Sequence, residues 1–392
     1  MKITPPSQSN AHWLDRWHVS PSTNRDYDFL DGLRGVAILM VLVCHYIYVN
    51  PKAGPLGQFI GGLAMAGGSG VTLFFTLSGF LLSWPFWKRK FSEAAQAVPA
   101  GYGWRRFWKI YPPLALSVVL LTPLYVLARH DWSCFLIGAQ WLVGLPFLFP
   151  VSDKCNVVMW SLVIEVHFYI VLPLLFICVK KIPAKFCLWA LPLIFLVVPV
   201  GYRCITGLSH TIHPIINAHF PSALDAFALG VLIAGLETSK VMKITWAKLG
   251  LLGLVLLPLA LLGSAWLHVY PESGQLVAGE ALSWLVKIAA ACLLCFVADP
   301  QQPVAKLLCA PWLRWCGIVS YELYLFHQPI VLWARQYFGP ADGSLYKYAL
   351  IIVGCLLSSL LLTAVVYRLY SLPILQYGRA SAKQKKPCAP SV

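Results

Sequence analysis

The chain has 392 residues, of which 59% are hydrophobic and only 11% are charged, and its formal net charge is +15. About a quarter of the residues in a soluble domain are charged, so this composition excludes a soluble enzyme and indicates a protein embedded in a lipid bilayer. The basic residues cluster in short segments between apolar blocks and form no nucleic-acid module, so we expect no nucleic-acid partner.

Apolar blocks of about 20 residues recur along the chain, the length that an α-helix needs to cross a hydrocarbon core. Each block is predicted to be helical, because backbone polar groups in lipid must be satisfied within their own segment. The predicted fold class is all-α, a polytopic membrane protein of about ten transmembrane helices. The predicted spans are 29–50, 69–87, 107–129, 157–179, 186–206, 222–237, 246–267, 280–298, 314–335 and 346–370.

Loops rich and poor in lysine and arginine alternate along the chain. The loops 207–221 and 268–279 contain neither residue, whereas the loops between them and beyond them are basic. Basic loops of membrane proteins face the cytoplasm, so both termini are predicted to be cytoplasmic. This divides the chain into a cytoplasmic N-terminal segment 1–28, without a cleavable signal peptide, a transmembrane domain 29–370 and a cytoplasmic tail 371–392.

Residues 134–150 are apolar enough to form a further span. Counting them as one would invert every later loop and place the lysine clusters outside, so we expect a re-entrant or interfacial segment on the outer side. Cys134 and Cys155 both fall in this outer region, where a disulfide can persist. The sequence leaves open whether they are bonded.

The first span carries two polar residues on one helix face. Arg34 and His45 are eleven residues apart, which is three turns plus about 20° of rotation and about 16 Å of rise. Arg34 lies near the cytoplasmic end, as a topological anchor or an anion ligand. His45 lies in the outer half, as a functional group or as a buried, hydrogen-bonded histidine.

The second and third spans add a small-residue patch and a basic cluster. Ser78 and Gly79 allow close approach of another helix or of an acyl chain, and simple helix packing explains them equally well. Arg105, Arg106 and Lys109 lie in the first turns of the third span, near the positive end of the helix dipole. They fit phosphate binding, and they also fit a topological role.

The fourth span contains a carboxylate two to three turns from its outer end. Glu165 shares its helix face with Tyr169, four residues on. A charge at this depth is costly, so Glu165 is a candidate functional residue. We expect its partner to be His45 or Arg34, since a neighbouring carboxylate would orient a histidine.

The later spans carry one polar stripe and one possible ion pair. Ser320, Tyr324 and His327 follow one another at spacings of four and three, which places them on one face of the ninth span. Asp225 and Lys287 lie toward the outer ends of their spans and can pair with each other, without an assigned role.

Five motifs in order resemble those of the acyltransferase family 3 membrane proteins, the group of bacterial O-antigen and peptidoglycan O-acetyltransferases. The resemblance extends from about Phe29 to Tyr370. The motifs are LRGVAILMVLVCH, which fits the family's Arg-x10-His signature, FFTLSGF, RRFWKIYP, WSLVIEVHFY and SYELYLFHQP. Lys109 stands where the family usually has arginine, which puts bidentate anion contact at that position in doubt.

The resemblance implies transfer of an acyl group, commonly acetyl, from cytoplasmic acyl-CoA to a hydroxyl of a glycan or of another cell-envelope or secondary product. It implies the inner membrane of a bacterium, no resident cofactor or metal, and acetyl-CoA as the donor substrate. Because the sequence continues for only about twenty residues after its last predicted span, we expect no extracytoplasmic SGNH domain of the kind that some members carry. A separate extracytoplasmic acyl-transfer protein, or direct transfer to the acceptor, is therefore expected.

The resemblance and the predicted depths together assign roles to the candidate residues. His45 is the expected general base or transient acyl carrier, Glu165 orients or charge-balances it, and His327 lines the acceptor path. Arg34 is also a candidate catalytic group. The residues expected to form the donor site are Arg34, Ser78, Gly79, Arg105, Arg106 and Lys109. The residues expected to form the acceptor site are Tyr169, Ser320, Tyr324 and His327. The main alternative is a transporter or flippase that uses the same buried arginine, histidine and glutamate. No inverted repeat between the chain halves supports that alternative.

Overall fold

The computed structural model describes residues 14–17, 28–47, 54–147, 157–206, 220–240, 246–270, 275–298, 302–338 and 345–384. These residues form helices joined by turns and include no β-strand. The α-helices are α1 Asp28–Tyr46, α2 Pro55–Ala66, α3 Gly70–Phe91, α4 Tyr102–Arg129, α5 Ser133–Leu142, α6 Trp160–Cys178, α7 Ala184–Thr206, α8 Phe220–Ser239, α9 Trp246–Val269, α10 Gln275–Leu294, α11 Pro303–Leu308, α12 Pro311–Ile318, α13 Ser320–Phe338, α14 Leu345–Val366 and α15 Leu372–Gln384.

Eight helical stretches within the described residues are long and apolar enough to cross a membrane. The all-α, polytopic membrane fold is therefore confirmed, whereas the count of about ten spans stays a prediction. The two remaining predicted spans correspond to α10 and α13. The predicted span 314–335 begins too early, because α12 ends at Ile318 and a new helix starts at Ser320.

The second span is longer than predicted. The helix α2 and a 3₁₀ turn at Gly67–Ser69 precede α3, so that residues Pro55–Phe91 form one helical stretch of 37 residues. The sequence did not single out α2, because its twelve residues are too few to cross a membrane and its three glycines lower helix propensity. The same small residues let α2 pack closely: a Cβ added at Gly62 would meet Ala265 and His268 of α9.

Close helix contacts at small residues hold the bundle together. Gly79 of α3 faces the carbonyl oxygen of Phe227 in α8, and Gly230 of α8 faces the backbone of Thr76 in α3. Lipid tails are as apolar as the side chains themselves, so close packing and interhelical hydrogen bonds stabilise such contacts. The hydroxyl of Thr76 accordingly donates to the carbonyl of Ala226 at 2.9 Å.

The segment 134–150 begins with a helix too short to span. The ten residues of α5 extend about 15 Å, half the hydrocarbon thickness. This helix packs against α4, where Gly138 lies against Thr122. Cys134 is disulfide-bonded, while the proposed partner Cys155 lies outside the described residues.

Both predicted cytoplasmic segments contact the bundle. Within 1–28, Trp17 packs edge-on against Trp315 and stacks on Tyr367. The tail predicted at 371–392 begins within a π-helical turn, Tyr367–Ser371, and continues as α15. The hydroxyl of Ser381 in α15 accepts a hydrogen bond of 2.7 Å from the indole of Trp104. The tail therefore packs on α4 at the entry to the third predicted span.

A buried ion network joins α7, α8 and α10. Asp225 accepts hydrogen bonds from Arg203 at 2.6 Å and from Lys287 at 2.7 Å, and all three side chains are at least nine-tenths buried. The predicted pairing of Asp225 with Lys287 is confirmed. The sequence reasoning missed Arg203, because it falls near the end of a predicted span and resembles an interfacial anchor there.

Candidate functional site

A cavity of about 80 Å³ lies among α1, α3, α4, α6 and α13. One part of its wall is apolar, with Val71, Phe74 and Leu77 of α3. The polar part of the wall contains eight of the residues singled out in the sequence, from five helices: Arg34, Ser78, Arg106, Lys109, Glu165, Tyr169, Ser320 and Tyr324. The fold thus gathers residues that are up to 290 positions apart around one space.

Three cations line this cavity without a direct ion pair. Arg34, Arg106 and Lys109 have no carboxylate oxygen within 4 Å among the described residues, and the Nε atoms of both arginines are buried without a protein partner there. Arg34 donates a long hydrogen bond of 3.3 Å to the hydroxyl of Ser320. Glu165 lines the same cavity and offsets part of this positive charge, but a charge without a direct ion pair in a low-dielectric interior is costly unless a further anion joins it. The arrangement therefore suits an anionic group.

Aromatic rings fix the position of Arg106. Its guanidinium lies 5.8 Å from the ring centroid of Tyr102 and 5.7 Å from that of Tyr169. Such cation–π contacts orient the flat guanidinium while leaving its N–H groups available for a planar anion. The neighbouring Arg105, predicted to act with it, does not line the cavity. Arg105 is half-buried and donates to the carbonyl of Ala100 at 2.5 Å.

Glu165 is held by two hydroxyl donors. Its Oε1 accepts hydrogen bonds from Tyr169 at 2.5 Å and from Ser78 at 3.1 Å. The shared helix face of Glu165 and Tyr169 is thereby confirmed. The predicted pairing of Glu165 with His45 or Arg34 is wrong in this structure, because His45 is bonded elsewhere and Arg34 contacts Ser320.

His45 is paired with the second candidate histidine. His45 Nδ1 lies 3.2 Å from His327 Nε2 and 2.9 Å from the carbonyl oxygen of Val41. His327 has no exposed surface in this conformation, and its place on an acceptor path stays a prediction. Neither histidine lines the cavity.

Tyr324 connects the cavity with the histidine pair. Its hydroxyl lies 2.7 Å from the hydroxyl of Ser161 in the cavity wall, and its ring centroid is 5.9 Å from that of His327. The sequence reasoning did not single out Ser161, although it lies one turn before Glu165 on the same helix face. That spacing was the available signal.

The structure assigns Gly79 to helix packing. A Cβ at this position would collide with the carbonyl of Phe227 in α8, and Gly79 does not line the cavity. Its predicted place in the donor site has no support from this cavity and stays a prediction, whereas Ser78, the residue before it, does line the cavity. Adjacent residues of a helix point about 100° apart, which explains how one packs and the other lines the site.

Comparison with known proteins identifies the family. The chain matches the acyltransferase domain family, acyltransferase family 3, over residues 27–368. It is 23% identical over 344 residues to a putative O-acetyltransferase of Staphylococcus aureus strain COL, a match that covers 81% of this chain and 53% of the relative. It is also 23% identical over 380 residues to O-acetyltransferase OatA of Staphylococcus aureus strain NCTC 8325, covering 89% of this chain and 57% of the relative. No solved structure matches.

The chain spans about half the length of these relatives. The family match covers all five motifs, from the Arg34–His45 helix to the helix that carries Ser320, Tyr324 and His327. The chain therefore belongs to the acyltransferase family 3 of membrane acyltransferase domains.

Proposed function

We propose that this protein is a membrane O-acyltransferase, which moves an acetyl group from cytoplasmic acyl-CoA to a hydroxyl of a glycan or of another cell-envelope or secondary-product acceptor. The single observation that carries the proposal is the cavity. Three cations that have no ion pair within the described part of the chain converge there with a hydroxyl-held carboxylate, and Tyr324 links this cavity to a histidine pair. Relatives named as O-acetyltransferases support the class of reaction.

The cations suit the phosphate groups of the donor. Arg34, Arg106 and Lys109 come from the ends of α1 and α4 that the distribution of basic residues assigns to the cytoplasm. Phosphates that bind there would bring the thioester toward the apolar wall of Val71, Phe74 and Leu77. The donor is a substrate in this scheme, and no resident cofactor takes part.

His45 is the proposed general base. It takes the proton of the acceptor hydroxyl as the oxygen attacks the acyl carbon, and it returns that proton to the departing CoA thiolate. Base catalysis of this kind typically contributes about 10²–10⁴-fold. A transient acyl-histidine is the alternative role. In the present conformation the contacts run from the cavity through Tyr324 and His327 to His45, so transfer requires these side chains to shift and bring His45 and the thioester together.

The membrane setting completes the proposal. The protein lies in the inner membrane of a bacterium, with both termini in the cytoplasm, and the acceptor approaches from the outer side. A separate extracytoplasmic acyl-transfer protein is the proposed partner where the acceptor is not acylated directly. The outer-half position of His45 supports this direction of transfer.

The test uses the purified full-length chain in lipid vesicles, radiolabelled acetyl-CoA and candidate glycan acceptors. Labelled acceptor with stoichiometric release of CoA is expected, and a His45→Ala preparation is the control for non-enzymatic transfer. Movement of the acceptor across the vesicle membrane without acylation would instead favour a transporter. Mass analysis of envelope glycans from cells with and without the protein identifies the acceptor.

A further inference from the structure

His327 has its proton position fixed by two backbone carbonyls. Its Nδ1 lies 2.8 Å from the carbonyl oxygen of Tyr324 and 3.1 Å from that of Leu323. Carbonyl oxygens only accept hydrogen bonds, so Nδ1 carries the proton. The opposite ring nitrogen, Nε2, is then an acceptor in the neutral imidazole, and it faces His45.

The same reasoning sets the proton of His45. Its Nδ1 faces two acceptors, the carbonyl oxygen of Val41 at 2.9 Å and Nε2 of His327 at 3.2 Å. Neither of these atoms has a proton to donate, so Nδ1 of His45 carries its own. The second nitrogen of His45, Nε2, therefore keeps a free lone pair.

From this geometry we propose that His327 is a positioning residue, which holds His45 with Nδ1 protonated and Nε2 as the atom that reacts. The chain of contacts runs from the carbonyls of Leu323 and Tyr324 through His327 to His45, and it needs no carboxylate. It assigns His327 a role other than acceptor binding and leaves Glu165 to the cavity.

In the proposed step, one proton moves from the acceptor hydroxyl to His45 and then to CoA, and no other proton donor or acceptor is needed. The acceptor O–H proton moves to Nε2 of His45 while the oxygen forms its bond to the acyl carbon. The resulting imidazolium keeps its Nδ1–H on Nε2 of His327, which spreads the positive charge at a place where the described residues bring no carboxylate into contact with either ring. The Nε2 proton then passes to the CoA sulfur as the thioester bond breaks.

Kinetics of two His327 variants test the positioning role, which rests on the proposed acyl transfer for its chemistry. His327→Leu removes the acceptor and should lower kcat by about 10–100-fold with little change in KM for acetyl-CoA, as is typical when a group that orients a histidine is lost. His327→Gln can donate to the carbonyls and accept from His45, so most of kcat should return. Equal losses in both variants would contradict the proposal. His167→Gln is the matched control, because His167 contacts Phe147 in another part of the bundle.

Nitrogen NMR tests the proton positions without any acyl transfer. The full-length protein, labelled with ¹⁵N-histidine in lipid nanodiscs, should show His45 and His327 protonated on Nδ1. His167 should show the opposite tautomer, because its Nε2 donates to the carbonyl of Phe147 at 2.7 Å. The variants His45→Ala, His167→Ala and His327→Gln assign the three signals among the ten histidines of the chain. A proton on Nε2 of His45 would overturn the inference even if the enzyme were active, and the expected tautomers in an inactive protein would refute only the proposed function.

Discussion

Two groups of charged side chains inside the helical bundle have opposite surroundings. In the first, Asp225 sits between Arg203 and Lys287 with contacts of 2.6 and 2.7 Å, and none of the three lines the central cavity. In the second, Arg34, Arg106 and Lys109 face the cavity without a carboxylate within 4 Å among the described residues.

The difference teaches how to separate structure from function in a membrane interior. A buried charge is expensive in both places, so cost alone does not mark a site. In the first group, the ion pairs of Asp225 with Arg203 and Lys287 offset the free-energy cost of burying these charges, and they link three helices. The cations of the second group have no such direct partner among the described residues, so we expect an anion that enters the cavity to offset the free-energy cost of their charge. Loss of a residue should therefore affect folding in the first group and catalysis in the second.

The largest expected effect is on the reaction. His45→Ala should lower the rate of acetyl transfer by about 10²–10⁴-fold, because the proposed base is removed. The half-buried ring contributes little packing, so the amount of folded protein in the membrane should stay near that of the wild type. Transfer of labelled acetyl groups, normalised to folded protein, measures the change. A rate within a few-fold of the wild type would remove His45 from the mechanism.

The reverse behaviour is expected in the ion network. Asp225→Asn leaves Arg203 and Lys287 buried without their shared carboxylate, which should lower the free energy of unfolding by about 3–5 kcal/mol. Activity per folded molecule should change little. Thermal unfolding in detergent, followed beside His45→Ala, gives the comparison directly. If the variant kept its stability and lost its activity, the ion network would have a role in the reaction, and the proposed difference between it and the cavity cations would be wrong.

A pair of neighbouring arginines tests the donor site. Arg106→Gln should raise KM for acetyl-CoA by about 10–100-fold, the loss expected for one or two hydrogen bonds to a charged group. Arg105→Gln is the matched control, because Arg105 carries the same charge one residue away but lies outside the cavity. Equal effects of the two substitutions would indicate a general role of the basic segment and would argue against a specific phosphate site.

Local spacing made part of this site predictable. Glu165 and Tyr169 lie one helical turn apart, and their hydrogen bond follows from that spacing alone. Depth in the membrane likewise placed Arg34 and Lys109 toward the same end of the bundle, where the cavity has its cations. The long apolar helices followed from apolar length, whereas α2 and the short or polar helices α11, α12 and α15 did not.

Contacts between helices that are distant in the chain could not be predicted from the sequence. The partner of His45 is 282 residues away, and its identity depends on how α1 and α13 pack. Whether Arg105 or Arg106 faces the cavity depends on the rotation of α4, which a run of basic and aromatic residues does not define. The same limit applies to Ser78 and Gly79, since both are small and either fits a helix contact.

The smallest expected effect concerns Ser78 and Gly79. Ser78→Ala removes one of two hydroxyl donors to Glu165, so kcat/KM should fall about fivefold, the cost of one modest hydrogen bond, while Tyr169 keeps the carboxylate in place. Gly79→Ala instead pushes a methyl group against the carbonyl of Phe227 and should cost about 1–3 kcal/mol of stability with activity per folded molecule retained. Kinetics and unfolding measured on both variants decide the matter. If Ser78→Ala instead lowers stability and Gly79→Ala instead lowers kcat/KM, Gly79 and not Ser78 lies on the cavity face of α3.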